Sequence, residues 1–246
     1  MRLIHLPELD STSDHLRRLA SDAEQGVAPW TVVVADRQTA GHGQQGRQWI
    51  SEGGGLYASI LLPPDTASSA FTLIGGLSAL AACQRVSGAS NLGLKWVNDL
   101  VWLAPGEGGT LRGRKIGGLL AEASHRRFVI LGIGINLAPV SVPDAGSLEQ
   151  AAGHPVDRWD LVEAIVAELE IRLARWRVEG APHVVAQWKA ASVTLGRRIR
   201  IESGGRTVEG MAEDLDADCR LLLRRSDGQL ESFSSGTVRL ADGSYA

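Results

Sequence analysis

The chain has 246 residues, 44% hydrophobic and 22% charged, with a formal net charge of −3. That length holds two domains at most, and the near-neutral balance excludes a dedicated polyanion binder, which needs a basic excess. Its two cysteines, Cys83 and Cys219, are far apart and form no C-x-x-C pair, which excludes a disulfide framework and a cysteine-rich zinc site. No run approaches the roughly eighteen apolar residues of a membrane span. The opening Met1-Arg2-Leu3-Ile4-His5-Leu6-Pro7 is too short and polar for a signal peptide, so a cytoplasmic protein is expected.

In chain order, Asp10-Ser11-Thr12-Ser13-Asp14 is a dense capping signal before a helical pattern with Leu16 and Leu19 on one face. The β-branched run 32–35 reads as a buried strand. A glycine-dense loop follows over residues 40–49, then Gly53-Gly54-Gly55 and a strand over 56–62 ended by Pro63-Pro64. Residues 71–86 are rich in alanine and leucine and read as helix. Residues 94–102 read as strand, turn and strand, with Asn98-Asp99 as the turn. After a glycine-rich connector over 105–113, strands are expected over 115–123 and 128–135. Residues 139–155 are polar and irregular. The strongest helix is 160–177, where Leu161, Ile165, Leu169, Leu173 and Trp176 form one apolar stripe. Beyond Trp188 the texture changes to short alternating runs broken at Gly204-Gly205, Asp216–Asp218, Asp227-Gly228 and Ser235-Gly236. Such a run of short strands reads as a small β-barrel, with a boundary within residues 190–195.

Gly41-His42-Gly43-Gln44-Gln45-Gly46 fits G-x-G-x-x-G after a strand, and Asp65 lies near the acidic spacing of a dinucleotide-binding fingerprint. That fingerprint requires a helix opening at its last glycine. Here Arg47-Gln48-Trp49-Ile50-Ser51-Glu52 runs into more glycines and a strand, leaving no room for one. The Rossmann reading is therefore rejected, and no G-K-[S/T] supports a P-loop. A glycine loop can still bring backbone N–H groups to phosphate or carboxylate oxygens, with Arg47 adding a planar cation and Trp49 an aromatic wall. Taken alone, a plain surface turn explains it equally well.

Other motifs decide between these. Lys95-Trp96-Val97-Asn98-Asp99 gathers a cation, an indole and polar turn residues. Arg114-Lys115-Ile116-Gly117-Gly118-Leu119-Leu120-Ala121-Glu122 puts Lys115 at the mouth of a buried strand, and Gly132-Ile133-Gly134-Ile135-Asn136 ends another with an amide. All fall at strand ends or turns of one α/β unit, where binding residues are usually presented.

In this order the motifs resemble those of the biotin–protein ligases (biotin–[acetyl-CoA-carboxylase] ligases): Asp10-Ser11-Thr12, residues 38–49, K-W-x-N-D, R-K-x-G-G-x-L-x-E and G-x-G-x-N. The resemblance covers essentially the whole chain. It implies an α+β fold: a mixed sheet flanked by helices, like that of class II aminoacyl-tRNA synthetases, over residues 1–192, and a small C-terminal SH3-like β-barrel over 193–246. It also implies an ATP-dependent, AMP-forming ligase that makes biotinyl-5′-AMP and passes biotin to a lysine of a biotin carboxyl carrier domain. Lys115 is implied as the central catalytic residue, touching the biotin carboxylate and the phosphate. Ser11, Thr12, Ser13, Gln38, Gly41, His42, Gly43 and Gln44 would serve biotin, the hydroxyl and amide groups suiting its ureido ring. Arg47, Trp49, Lys95, Asn98 and Asn136 would serve ATP and the adenylate. Gly41 to Arg47 would form a lid that excludes water. Magnesium would arrive with ATP, held by phosphates and water rather than by protein ligands alone. Neither nucleic acid nor membrane is expected as a partner, and monomer and homodimer both stay open.

The chain departs from the family loop G-R-G-R-x-G-R-x-W, for His42 and Gln44 replace two arginines. Ser13 and Val97 also stand where asparagine and proline are common. Fewer loop cations imply weaker retention of the adenylate, since histidine adds charge only when protonated. Some relatives carry an N-terminal DNA-binding head, but Ser11-Thr12 lies so near Met1 that none is expected here. The alternatives are a lipoate or octanoate ligase-like acyltransferase and a non-catalytic biotin or adenylate sensor. Arg197, Arg198, Arg200, Arg224 and Arg225 would also permit a nucleic-acid-binding barrel, but Glu213, Asp214, Asp216 and Asp218 favour a solvated, ion-paired face.

Overall fold

The computed structural model describes residues 1–22, 26–51, 53–63, 68–124 and 128–246, so Pro64 and Asp65 lie outside the described residues. The main sheet is mixed. Strands β1 (Arg2–Leu9) and β2 (Thr31–Gln38) run parallel, with helix α1 (Thr12–Ser21) as the crossover. Strand β3 (Gly55–Leu62) pairs antiparallel with β2. Helix α2 (Ser68–Ser87) then leads to β4 (Leu92–Lys95), β5 (Asp99–Pro105), β6 (Leu111–Ser124) and β7 (Phe128–Asn136). The order across the sheet is β1-β2-β3-β7-β6-β5-β4. The turn between β4 and β5 is residues 96–98, so Asp99 opens β5 instead of sharing the turn with Asn98.

Alternation along the strands sets the layers. Val32 and Val34, Leu56, Ala58 and Ile60, and Leu131, Ile133 and Ile135 point to one face. There they meet α2 and helix α4 (Arg158–Glu179), whose Leu161, Ile165, Leu169 and Leu173 are buried as the stripe predicts. Val33, Leu61 and Ile130 point the other way, onto Leu16 of α1. Ser11 caps α1, its Oγ accepting from the Asp14 N–H at 3.4 Å.

Two helices depart from the sequence expectation. Helix α3 (Leu148–Ala152) lies in the stretch read as irregular; a reciprocal Ser147–Gln150 capping box holds it. Helix α5 (Ala181–Ala191) follows a break at Gly180, whose φ of 69° stops α4, and it buries Val184 and Trp188.

The C-terminal strands are β8 (Arg198–Ser203), β9 (Arg206–Leu215), β10 (Leu221–Arg224), β11 (Leu230–Phe233) and β12 (Thr237–Leu240). They form one antiparallel sheet in the order β11-β10-β9-β8-β12 around Ile199, Ile201, Leu221, Leu223 and Val238. Arg200 and Arg224 pair with Glu209 and Glu213, each at 2.7 Å, so these arginines face acidic neighbours on their own sheet. Among the links between the C-terminal part and the rest, Trp96 N–H donates to the buried Thr194 Oγ1 at 2.9 Å, and Lys189 on α5 pairs with Asp214 on β9 at 2.8 Å.

Leu169 is wholly buried in α4 and Val178 is 86% exposed on the same helix. Leu169→Ala should lower the unfolding free energy by about 2–5 kcal/mol. Val178→Ala should change it by no more than about 0.5 kcal/mol. Urea titration of both variants checks the assignment of the core face.

Candidate active site

A cavity of about 250 Å³ opens above β6 and β7, between the start of α1, the glycine loop and β12. Its floor is glycine for a steric reason. On β7, Gly132 and Gly134 take the side that Ile130 takes nearer the start of the strand. A Cβ on Gly132 would sit 2.9 Å from Ser13 Oγ, and one on Gly134 only 2.5 Å from Trp49 Cε2. Gly118 lies opposite Gly134 on β6, and a Cβ there would meet Trp49 Cζ3 at 3.2 Å. The Trp49 indole thus lies against backbone, and its Nε1 is buried without a partner.

Lys115 reaches this cavity because β6 bulges. The register with β5 slips so that Leu100 opposes Gly117 and Val101 opposes Lys115, leaving Ile116 as the extra residue. Ile116 and Leu119 can then both enter the core, while Lys115 and Gly118 both face the cavity. Backbone bonds clamp the bulge: Lys115 N–H donates to Asp144 O, and its carbonyl accepts from Gly146 N–H, both at 2.8 Å. Lys115 Nζ lies 2.5 Å from Asp99 Oδ1 and 5.4 Å from the Trp49 ring centre.

A second lysine is deeper. Lys95 is 4% exposed, and its Nζ sits 3.4 Å over the ring of Tyr245. Burial pushes its ammonium down to about 7; Asp99 opposes the shift, while Lys115 and Arg239 add to it. The Tyr245 hydroxyl donates to Asp99 Oδ2, and burial followed by the Asp99 charge holds that phenol well above the usual tyrosine range.

The other end of the cavity is polar and uncharged. Gln38 Oε1 accepts from Thr12 N–H at 2.8 Å and from Thr12 Oγ1 at 3.1 Å, and its Nε2 donates to Ser51 Oγ at 2.9 Å. Buried Ser59 bridges Thr12 Oγ1 and Ser13 Oγ at 2.8 and 2.9 Å. The glycine loop closes over this end. His42 Nε2 lies 2.6 Å from Asp14 Oδ2, and Arg47 donates to Thr237 Oγ1 on β12 at 2.8 Å.

The expected residues Ser11, Thr12, Ser13, Gln38, His42, Gly43, Gln44, Arg47, Trp49, Lys95, Asn98 and Lys115 all line this cavity. Gly41 and Asn136 do not. Gly41 packs behind the loop, where a Cβ would lie 2.7 Å from Trp49 O. Asn136 is buried and donates to Gly146 O at 3.0 Å, bracing the segment that clamps Lys115. Asn98 lines the cavity but also donates to Leu119 O at 2.9 Å, tying the β4–β5 turn to β6. Ser59, Asp99, Thr237, Arg239 and Tyr245 were not anticipated as site residues. Asp99 alone carried a signal, the last position of K-W-x-N-D.

Residues 7–136 match the biotin/lipoate A/B protein ligase family, and residues 194–240 match the biotin protein ligase C-terminal domain. The chain belongs to the biotin/lipoate A/B protein ligase family. Within that family it is 36% identical to the biotin–[acetyl-CoA-carboxylase] ligase of Mycobacterium tuberculosis, over 87% of this chain and 79% of that one. It is 32% identical to the bifunctional ligase/repressor BirA of Bacillus subtilis, over 95% of this chain and 72% of that one. The solved biotin protein ligase from Aquifex aeolicus in complex with biotin and ATP superposes with a TM-score of 0.82 at 27% identity, covering 98% of this chain and 99% of that one.

Lys95 titrates lower in the folded ligase than in an unfolded chain, so the unfolded chain binds the extra proton between pH 10.5 and about 7. The burial penalty grows as pH falls through that window and is complete below it. Lys95→Met should therefore raise the melting temperature, by more at about pH 6 than at about pH 10. Equal gains at both would mean that burial does not perturb Lys95.

Proposed function

We infer that the protein activates biotin with ATP, forming biotinyl-5′-AMP and pyrophosphate, and transfers the biotinyl group to a lysine of a biotin carboxyl carrier domain of the acetyl-CoA carboxylase type. The observation that carries this reading is Lys115, aimed by a clamped bulge into a cavity with a neutral polar end and a cationic end. The match of residues 194–240 to a biotin protein ligase domain favours biotin over lipoate.

The two ends of the cavity suit the two substrates. Biotin's ureido ring both donates and accepts, as do the Ser11, Thr12, Ser13 and Gln38 side chains. Its carboxylate would then point toward Lys115, and the triphosphate would lie among Arg47, Lys95, Lys115 and Arg239. A carboxylate oxygen attacks the α-phosphorus; the new P–O bond forms as the bond to pyrophosphate breaks, and pyrophosphate leaves with the electron pair. Two anions must approach, so cations fixed in a partly buried site lower the barrier by offsetting repulsion and developing charge. In the second step the neutral ε-amine of the acceptor lysine attacks the acyl carbon; the C–N bond forms as the acyl C–O bond to the phosphate breaks, AMP leaves with the electron pair, and the amine's extra proton passes to solvent. Trp49 and the loop from Gly41 to Arg47 would keep water from the mixed anhydride meanwhile.

Magnesium fits as a companion of ATP. Asp99 is the acidic side chain lining the cavity among the described residues, and it is already engaged by Lys115 and Tyr245. The ion's ligands would thus come from phosphate oxygens and water. The chain would divide into a catalytic unit of residues 1–192 and a C-terminal unit of residues 193–246, the latter supplying Thr237 and Arg239 to the site. Among the described residues no helix is long and apolar enough to cross a membrane. A cytoplasmic location is compatible with this activity, because ATP is available there.

Lys115→Ala should lower biotin-dependent pyrophosphate release by about 10²-fold or more, and carrier biotinylation with it; an unchanged rate would overturn the mechanism. His42→Arg keeps a partner for Asp14 and adds a fixed charge to the loop. It should slow escape of biotinyl-5′-AMP into solution, measured by rapid filtration; equal escape from both proteins would refute a charge deficit in the loop.

A further inference from the structure

Beyond β12 the chain turns back. Gly243 N–H donates to Leu240 O at 2.9 Å and Leu240 N–H to Ser244 O at 3.0 Å, with Gly243 at a φ of 86°. The returning segment lies along β6: Gly113 N–H donates to Ala246 O at 2.9 Å. The fit is close, since a Cβ on Gly113 would sit 2.5 Å from Ala246 Cβ. This contact lies just upstream of Lys115 and directs Tyr245 into the cavity.

Tyr245 there ends a chain of contacts. Its hydroxyl donates to Asp99 Oδ2, and Asp99 Oδ1 holds Lys115 Nζ at 2.5 Å. A carboxylate held by one oxygen turns freely about its broad terminal torsion; held by both, it does not. Because burial and Asp99 keep the phenol protonated, it remains a donor across the working pH range. The same ring covers Lys95 Nζ at 3.4 Å.

We propose that Tyr245 is a positioning residue for adenylation, fixing Asp99 so that Lys115 Nζ stays where the biotin carboxylate and the α-phosphate meet. The proposal rests on the adenylation reading above and extends the reacting centre to the segment after β12. Tyr245 touches no reacting atom in this role. It acts in the chemical step, where misplacement of a cation costs rate, and not in recognition of the ureido ring at the far end.

The test is biotin-dependent pyrophosphate release by the full chain. Tyr245→Phe keeps the ring over Lys95 and removes only the hydroxyl. It should lower kcat about tenfold and leave the KM for biotin and the melting temperature near wild type. Gly113→Ala, outside the cavity, should displace the returning segment and cause the same selective loss of kcat. In an Asp99→Asn background, Tyr245→Phe should have no further effect, because the residue it acts through is already altered. Wild-type kcat in Tyr245→Phe would overturn the proposal, as would the same fold-loss in the Asp99→Asn background as in wild type. Absence of pyrophosphate release from the wild-type protein would instead refute the adenylation reading, since only the ratio of variant to wild type bears on Tyr245.

Discussion

The architecture depends on how β6 and β7 divide their two faces. One face of each must carry branched side chains into the layer of α2 and α4, or the sheet has no core. The other must leave room for substrates. On β7 simple alternation suffices: Leu131, Ile133 and Ile135 go inward, while Gly132 and Gly134 keep the opposite face bare. Strict alternation on β6 would put Lys115, Gly117 and Leu119 on one side. The extra residue at Ile116 breaks that rule, so Leu119 still packs inward and Lys115 still faces the cavity. One local irregularity reconciles a filled core with an aimed lysine, and the bonds from Asp144 and Gly146 keep it in place.

The C-terminal sheet is consequently part of the site. Arg47 on the glycine loop bonds Thr237 on β12, Arg239 faces the same cavity, and the segment after β12 supplies Tyr245. Asp99 is the junction, receiving Lys115 from β6 and Tyr245 from the returning segment. Change in the C-terminal segment thus reaches the lysine through one hydrogen bond, from Tyr245 to Asp99, and one ion pair, from Asp99 to Lys115.

How far the sequence could be read follows from the range of each signal. Strands β2, β3 and β7 were legible as short apolar runs bounded by glycine, proline or polar residues, and helix α4 from its apolar stripe, because those signals are local. Helix α5 was not, because its buried face is little more than Val184 and Trp188. Strand β1 was not, because an edge strand with a mostly exposed pattern lacks apolar contrast. In the site, glycine clusters and lysines stood out as motifs, and Gly43, Gly118, Gly132, Gly134, Lys95 and Lys115 line one cavity while Gly41 and Gly117 do not. Their division of labour did not stand out: Gly117 packs on the Gly134 carbonyl, whereas Gly118, Gly132 and Gly134 form the cavity floor. Ser59 reads in sequence as one residue of an apolar strand, yet it bridges Thr12 and Ser13. Tyr245 lies 146 positions from Asp99, and no local pattern encodes a pairing at that distance.

The overall charge hides the site's own. The chain carries a formal −3, but Arg47, Lys95, Lys115 and Arg239 line the cavity with a single carboxylate, Asp99, among the described residues, while Arg239 pairs with Asp144 at 3.5 Å. The Asp99 carboxylate is engaged by Lys115 and Tyr245, and Lys95 lies buried against the Tyr245 ring; burial first, then the charges of Lys115 and Arg239, weaken its ammonium against the opposing pull of Asp99 and Asp144. Burying the charged Lys95 costs folding stability. A triphosphate entering as proposed would add negative charge there, favour the charged form of Lys95 and offset repulsion among the cations. The free site is thus least comfortable in the region where the nucleotide would be most anionic.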